Sequence, residues 1–191
     1  MKMTMKPYSI WQGSVQQSIF RELVEAYSRP GQVRDLTDWI NGENARRVVL
    51  ATLMDGESTL ADPHGTIPDE DWPLLQARRD TAESARYVVV DGSRDATLNP
   101  CLGRLESPEF GATLLIAVEE IGTGSLSIAL AGPGIEERLE LCLSGLHPDW
   151  LARREDWVGA FPLGVDILFC DAQRIVALPR TTHAAITAGV V

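Results

Sequence analysis

The chain has 191 residues, of which 27 are acidic and 17 are basic, so its formal net charge is −10. With 45% hydrophobic residues it is too apolar for a disordered protein, and its length suits one domain, residues 1–191. A surface this acidic repels nucleic acid and anionic lipid, so we expect neither as a partner. The sequence has no apolar run of the roughly 20 residues that a membrane-spanning helix needs.

The N-terminus and the cysteines bear on the cellular compartment. Residues 1–12 include two lysines but no apolar segment of the kind found in secretory signals, and we expect this stretch to be flexible. The cysteines lie far apart and are odd in number: Cys101, Cys142 and Cys170. Such spacing is typical neither of a disulfide framework nor of a metal site, so we expect free thiols in a cytoplasmic protein.

The first predicted helix begins at Ser14, which forms an S-x-x-Q capping box with Gln17, and ends before Pro30. Its apolar stripe consists of four residues at helical spacing: Phe20, Leu23, Val24 and Tyr27. An extended piece at 33–36 and a second helix at 44–55 follow.

The middle of the chain changes from loop to strand. Residues 56–71 are rich in loop formers, with a short strand at 58–61 and a weak helix starting near Asp69. The β-branched run Tyr87-Val88-Val89-Val90 predicts a strand that is covered on both faces.

Strands dominate the second half. Strands at 112–121 and 125–131 are predicted to form an antiparallel hairpin through 122–124. A helix at 148–157 precedes a second predicted hairpin, whose strands at 165–170 and 175–178 flank a four-residue turn. Together these elements predict an α/β fold, with a mixed β-sheet flanked by helices.

The common signatures of catalytic and metal sites are absent from the sequence. No phosphate-binding glycine loop follows a strand, and Gly132-Pro133-Gly134 is typical of a tight turn because Glu136 and Glu137 come next. The three histidines have no second ligand at metal-binding spacing: His64, His147 and His183. We therefore predict no metal, and we assign no catalytic residue.

The lysine count bears on cofactor chemistry. Lys2 and Lys6 are the only lysines in the sequence. Pyridoxal phosphate (PLP) needs a lysine amine held in a packed pocket, and two residues in a flexible segment do not supply one. We expect no cofactor.

One carboxylate lies in apolar surroundings. Asp166 enters a hydrophobic strand, where an ionised group must be paired or hydrogen-bonded. Arg180 follows the next strand and lies close to it in the predicted hairpin, so we predict a structural Asp166–Arg180 ion pair. A catalytic use of Asp166 is the alternative.

Five segments, in their order and spacing, resemble the H subunit family of the bacterial carbon–phosphorus lyase system (PhnH). These segments cover most of the chain: Gln17–Arg21 running to Ser28–Gly31, Pro108–Leu114, Gly132–Ile135, Phe161–Leu168 and Ala177–His183. The resemblance implies a fold similar to a reduced PLP-dependent transferase domain that has lost the cofactor. It also implies a cytoplasmic assembly with G, I and J subunits, which makes ribose 1-alkylphosphonate 5-triphosphate from ATP and an alkylphosphonate.

Two functional hypotheses follow from this resemblance. In the first, the chain is a structural subunit without activity of its own, has an apolar patch for a partner, and forms a homodimer when isolated. In the second, it binds a nucleotide or phosphonate through arginines. The candidate ligand or interface residues are Arg21, Arg180 and His183. The candidate interface tryptophans, for which core packing is the alternative, are Trp11, Trp39, Trp72, Trp150 and Trp157. A stand-alone domain unrelated to phosphonates is a third reading.

Overall fold

Two β-sheets share one chain in the computed structural model, which describes residues 9–188. The strands in chain order are β1 (Arg34–Asp35), β2 (Thr59–Ala61), β3 (Arg78–Arg79), β4 (Tyr87–Asp91), β5 (Thr113–Ala117), β6 (Glu120–Ala131), β7 (Leu139–Ser144), β8 (Asp166–Cys170), β9 (Arg174–Leu178) and β10 (His183–Ala188). The α-helices are α1 (Gly13–Ser28), α2 (Thr37–Ile40), α3 (Ala45–Leu53), α4 (Trp72–Leu75) and α5 (Asp149–Val158). A 3₁₀ turn spans Pro108–Phe110.

The predicted flexible segment 1–12 is described only in part. Residues 1–8 lie outside the described residues. Of the remainder, Ile10 is only 4% exposed and belongs to the apolar core.

The larger sheet has seven strands in the order β1-β9-β8-β5-β4-β2-β3. Strands β3, β2, β4, β5 and β8 run parallel, and at one side β9 pairs antiparallel with β8 while β1 pairs antiparallel with β9. The sheet is therefore mixed and flanked by helices, as the sequence predicts. The β8–β9 hairpin and the short strand β2 are also confirmed.

The central strands are buried on both faces, which explains their continuous apolar sequences. In β4, Val88 and Val90 belong to one apolar cluster and Val89 to the other, and all three are fully buried. Helices α1 and α3 cover the face with Val89, while α5 and the second sheet cover the opposite face. Side chains alternate along a strand, so a strand covered twice needs apolar residues at every position.

The apolar stripe predicted for α1 is largely wrong. The helix buries Val15, Ile19, Leu23 and Ala26. Phe20 is 53% exposed and Val24 is 48% exposed. The sequence contains two overlapping stripes that share Leu23, and contact with α3 and the sheet selects the one that ends in the small Ala26.

The predicted capping box at the start of α1 does not form. The helix already includes Ser14, and its N-cap is Gln12, which makes no side-chain capping bond. A backbone turn that begins at Ser9 leads into the helix instead, through a hydrogen bond from Gln12 N to Ser9 O.

The predicted hairpin between 112–121 and 125–131 is wrong. The first segment divides after Ala117, and β6 continues unbroken from Glu120 to Ala131. Val118 N donates to Cys170 O in the larger sheet at 2.9 Å, and Glu119 N donates to Ser144 O in the second sheet at 2.9 Å. The chain thus passes from one sheet to the other within two residues.

The second sheet has the antiparallel order β10-β6-β7, and its two outer strands are not predicted from the sequence. Gly122 and Gly124 both have positive φ, and they lie where the β6–β7 register shifts. They therefore form a bulge, where the sequence suggests a turn.

Two of the five tryptophans are core residues. Trp150 is fully buried and Trp157 is 5% exposed, both on α5, with ring centroids 6.4 Å apart. Because both side chains are buried in the core of this chain, they are not available to contact a partner protein. Trp11, Trp39 and Trp72 are half-buried against the cluster on the opposite face of the sheet.

We expect Gly124→Ala to destabilise the fold much more than Gly122→Ala. Both changes place a side chain at positive φ, which costs about 1–2 kcal/mol. A Cβ at Gly124 would also lie 2.2 Å from Leu143 O, whereas its nearest contact at Gly122 is Arg174 Nη1 at 3.9 Å. Overpacking against the backbone of Leu143 should therefore add roughly 2 kcal/mol to the stability that Gly124→Ala loses. Chemical denaturation of both variants measures the difference, and equal losses would contradict the bulge geometry.

Cys170 should resist thiol reagents until the protein unfolds. Burial in β8 raises the pKa of its thiol from 9.0 to about 12, so the folded state disfavours the reactive thiolate. This contribution to stability is present below pH 9.0 and is lost as the pH rises toward about 12. Labelling at pH 8 should modify only the half-buried Cys101 and Cys142. Rapid labelling of Cys170 in native protein would contradict this.

Candidate functional site

Asp166 and Arg180 form an ion pair where the β8–β9 hairpin opens. Arg180 Nη2 donates to Asp166 Oδ2 at 2.7 Å, and Nε donates to Oδ1 at 3.3 Å. The backbone N of Arg180 donates to the same Oδ1 at 2.8 Å. The Arg180 side chain is only 13% exposed and the Asp166 side chain 23% exposed, so the carboxylate is held by three donors in a largely covered place.

The same guanidinium also binds two loops. Nη1 donates to Pro108 O at 2.8 Å and to Pro162 O at 3.3 Å. Gly111 lies against it, and a Cβ there would be 2.8 Å from Nη1 and 2.2 Å from Gly164 O. Arg180 therefore joins β8, the 3₁₀ turn and the loop before β8. Three of the five segments that carry the family resemblance meet at this residue.

A cavity of about 810 Å³ lies beside Arg180. Its walls come from β6, β10, α5 and the turn between β9 and β10. The charged lining residues are Arg138, Arg154, Arg180 and Glu155. We call this space the basic cavity, because it gathers three arginines and one glutamate in a chain of net charge −10.

Arg154 is the most buried of these arginines, at 2% exposure. Its Nη2 donates to Pro179 O and to Thr182 O, both at 2.8 Å. Within residues 9–188, its Nε has no hydrogen-bond partner, and neither has Oγ1 of Thr182, which also lines the cavity. Burial lowers the pKa of Arg154, opposed by the charges of Asp166 and Glu155.

The basic cavity contains two of the three predicted ligand residues. His183 is exposed at the start of β10, opposite Ala131 of β6, and Arg180 lies near the beginning of the turn that precedes β10. Arg21 is exposed on α1 and is not part of the lining.

Sequence reasoning missed Arg138 and Arg154. Arg138 precedes β7, a strand that was not predicted. Arg154 follows Arg153 in a helix where either could face solvent, and only the packed helix shows that Arg154 is the buried one.

A second depression lies along α1. It has a volume of about 380 Å³ and is lined mostly by apolar side chains: Phe20, Leu23, Val24, Tyr27, Ser28, Leu53, Tyr87 and Thr113. We call it the α1 groove. Burial raises the pKa of the Tyr27 phenol, which favours its neutral form still further.

The part of the chain between residues 9 and 188 lacks two other features. No helix in this range is both long enough and apolar enough to cross a membrane. In the same range, no three His, Cys, Asp or Glu side chains are arranged to hold a metal ion.

Fold and site together define an α/β protein in which an Asp–Arg pair ties loops to a mixed sheet beside a basic cavity. The family model described as "Bacterial phosphonate metabolism protein (PhnH)" matches residues 9–185, and the chain belongs to this family.

Two relatives agree with this assignment. The C-P lyase subunit protein HtxG of Stutzerimonas stutzeri is 41% identical over 176 residues, which covers 92% of this chain and 89% of HtxG. The alpha-D-ribose 1-methylphosphonate 5-triphosphate synthase subunit PhnH of Rhizobium meliloti (strain 1021) is 28% identical over 183 residues. That alignment covers 87% of this chain and 88% of the relative.

We expect Asp166→Asn and Arg180→Met each to lower the free energy of unfolding by about 2–3 kcal/mol, since each leaves a largely buried charge without its partner. A double-mutant cycle, measured by chemical denaturation, should give a coupling energy above about 1 kcal/mol. The control is Arg29→Ala, which removes an exposed 3.7 Å ion pair with Glu25 and should change little. Additive effects of the two changes would contradict a working ion pair.

Proposed function

We propose that the chain is a subunit of a carbon–phosphorus lyase system that is required for phosphonate utilisation, and that its role is structural. The family description and the names of both relatives support this proposal. The assembly would make ribose 1-alkylphosphonate 5-triphosphate from ATP and an alkylphosphonate. Its other members would be the G, I and J subunits.

The α1 groove is the observation that carries the structural role. Phe20 and Val24 are about half exposed on a helix whose opposite face is buried in the core. Half-buried Tyr27 and Tyr87 lie beside them in the same depression. Aromatic and apolar side chains that converge on a groove are typical of protein interfaces. The occupant we propose is another subunit of the assembly.

Three further properties belong to this proposal. The isolated chain, with its groove uncovered, forms a homodimer. The protein is cytoplasmic, which is supported by three unpaired cysteines. The whole chain is a single domain whose fold is akin to a reduced PLP-dependent transferase domain without the cofactor. The absence of lysine outside residues 2 and 6 supports the loss of that cofactor.

The double variant Phe20→Glu/Val24→Glu tests the groove. Because both side chains are half exposed, the variant should fold, while two carboxylates prevent apolar contact with a partner. We expect pull-downs from a host that expresses the whole system to lose the other subunits, and growth on methylphosphonate to fail.

The control is Leu105→Glu, which changes a 71% exposed leucine outside the groove. It should keep both partner binding and growth, and circular dichroism should show folded protein for both variants. Unchanged recovery of the other subunits by the groove variant would refute docking at this surface.

The basic cavity favours a second candidate function, in which this subunit also binds a nucleotide or phosphonate. The cavity volume lies within the usual range for small-molecule sites, roughly 300–1,000 Å³.

A further inference from the structure

Within residues 9–188 the two sheets end in four edge strands, and three of these strands are protected against pairing with another chain. Strands β1 and β3 are the edges of the larger sheet, and each has only two residues, all of them charged: Arg34, Asp35, Arg78 and Arg79. Strand β7 is one edge of the second sheet and carries Glu140. Short edge strands and charged side chains are common means by which proteins prevent edge-to-edge association.

Strand β10, at the other edge of the second sheet, has neither kind of protection. It has six residues, His183–Ala188, and apart from the histidine none of them has an ionisable side chain. Its pairing with β6 is regular from His183 to Ile186, and the register shifts only before Ala188. Ala185 is exposed and Ile186 is 48% exposed, so this part of the strand is open to solvent.

The backbone of an edge strand determines what can bind to it. In the part of the chain that the structure describes, β10 pairs only with β6, and no backbone hydrogen bond joins its other edge to a loop. Half of the N–H and C=O groups of such a strand point away from the sheet, where another extended segment can accept from them and donate to them. The chemistry of this edge therefore fits a β-strand from another chain.

The charge of the protein favours a second copy at this edge. Each copy has a formal net charge of −10, so two copies repel each other over most of their surfaces. They can approach where neither presents a charged side chain, and from Thr181 to Val191 the only ionisable side chain in the sequence is that of His183. Two antiparallel β10 strands are also related by a two-fold axis, so each copy uses the same edge and the assembly closes at a dimer.

We propose that two copies of the chain associate through antiparallel pairing of their β10 strands, which joins the two smaller sheets into one continuous sheet. This inference rests on the homodimer of the proposed function and gives that homodimer an interface. No residue of β10 lines the α1 groove, so the groove stays free for another subunit.

Analytical ultracentrifugation of the full chain tests the dimer, with Ile186→Glu and Leu74→Glu as a matched pair of variants. Both leucine and isoleucine are 48% exposed, but Leu74 lies on α4 and not on β10. We expect the wild type and Leu74→Glu to be dimers at about 100 μM. Ile186→Glu should associate about tenfold more weakly or less, because pairing would bring a carboxylate into the interface. Circular dichroism should show folded protein in all three cases.

Hydrogen exchange of the wild type gives a readout that needs no substitution. Strand pairing should slow the exchange of outer-edge amides in peptides that contain residues 183–188 by about tenfold or more when the protein concentration is raised through dimer formation. Exchange in peptides that contain the edge strand β3 should not depend on concentration.

A monomeric wild type at about 100 μM would overturn both this inference and the proposed homodimer. A dimer whose β10 amides exchange as fast as those of the monomer would overturn only the interface proposed here. So would a dimer that Phe20→Glu/Val24→Glu abolishes and Ile186→Glu leaves intact, because the contact would then lie at the α1 groove. The role within the lyase assembly is tested separately, by recovery of the other subunits.

Discussion

The Arg180 guanidinium donates to one carboxylate and to two carbonyl groups that come from distant parts of the chain. A largely covered cation is stabilised by the acceptors that its donors reach, so these acceptors are held in one arrangement around Arg180. The bonds to Asp166 hold the start of β8. The bonds to the carbonyl groups of Pro108 and Pro162 hold the 3₁₀ turn and the loop before β8. Gly111 completes the site by leaving room for the guanidinium. The turn that leads to β10, and with it one wall of the basic cavity, starts from this point.

A second Asp–Arg pair holds the opposite end of the same hairpin. Asp171, 6% exposed, accepts hydrogen bonds at Oδ1 from the backbone of Gln173 and Arg174. Its Oδ2 accepts from Arg174 Nε at 2.8 Å and from Ile121 N, in the second sheet, at 3.0 Å. The carboxylate thus forms the turn and anchors β6 to it. Each end of the β8–β9 hairpin is bound to another part of the fold by charge-assisted hydrogen bonds, which are the stronger kind in a covered environment.

The placement of charge separates two kinds of surface on this PhnH family member. Acidic residues dominate the chain as a whole, whereas the cavity beside α5 gathers Arg138, Arg154 and Arg180. The α1 groove, which lies on the face of the sheet covered by α1 and α3, is mostly apolar. The two surfaces have no lining residue in common.

Local patterns in the sequence determined the elements whose signals are strong. Apolar runs predict the doubly covered strands and the mixed α/β fold, and the position of Asp166 in such a run indicates that its carboxylate needs a partner.

The tertiary structure decided between the arrangements that the local patterns leave open. Packing against α3 and the sheet chose the buried stripe of α1 and left Phe20 exposed, because two stripes of similar hydrophobicity overlap. The glycines of β6 became a bulge through pairing with β7, which no local signal predicts. The basic cavity exists only because β10, α5 and the second sheet converge, and distances between remote segments are set by packing.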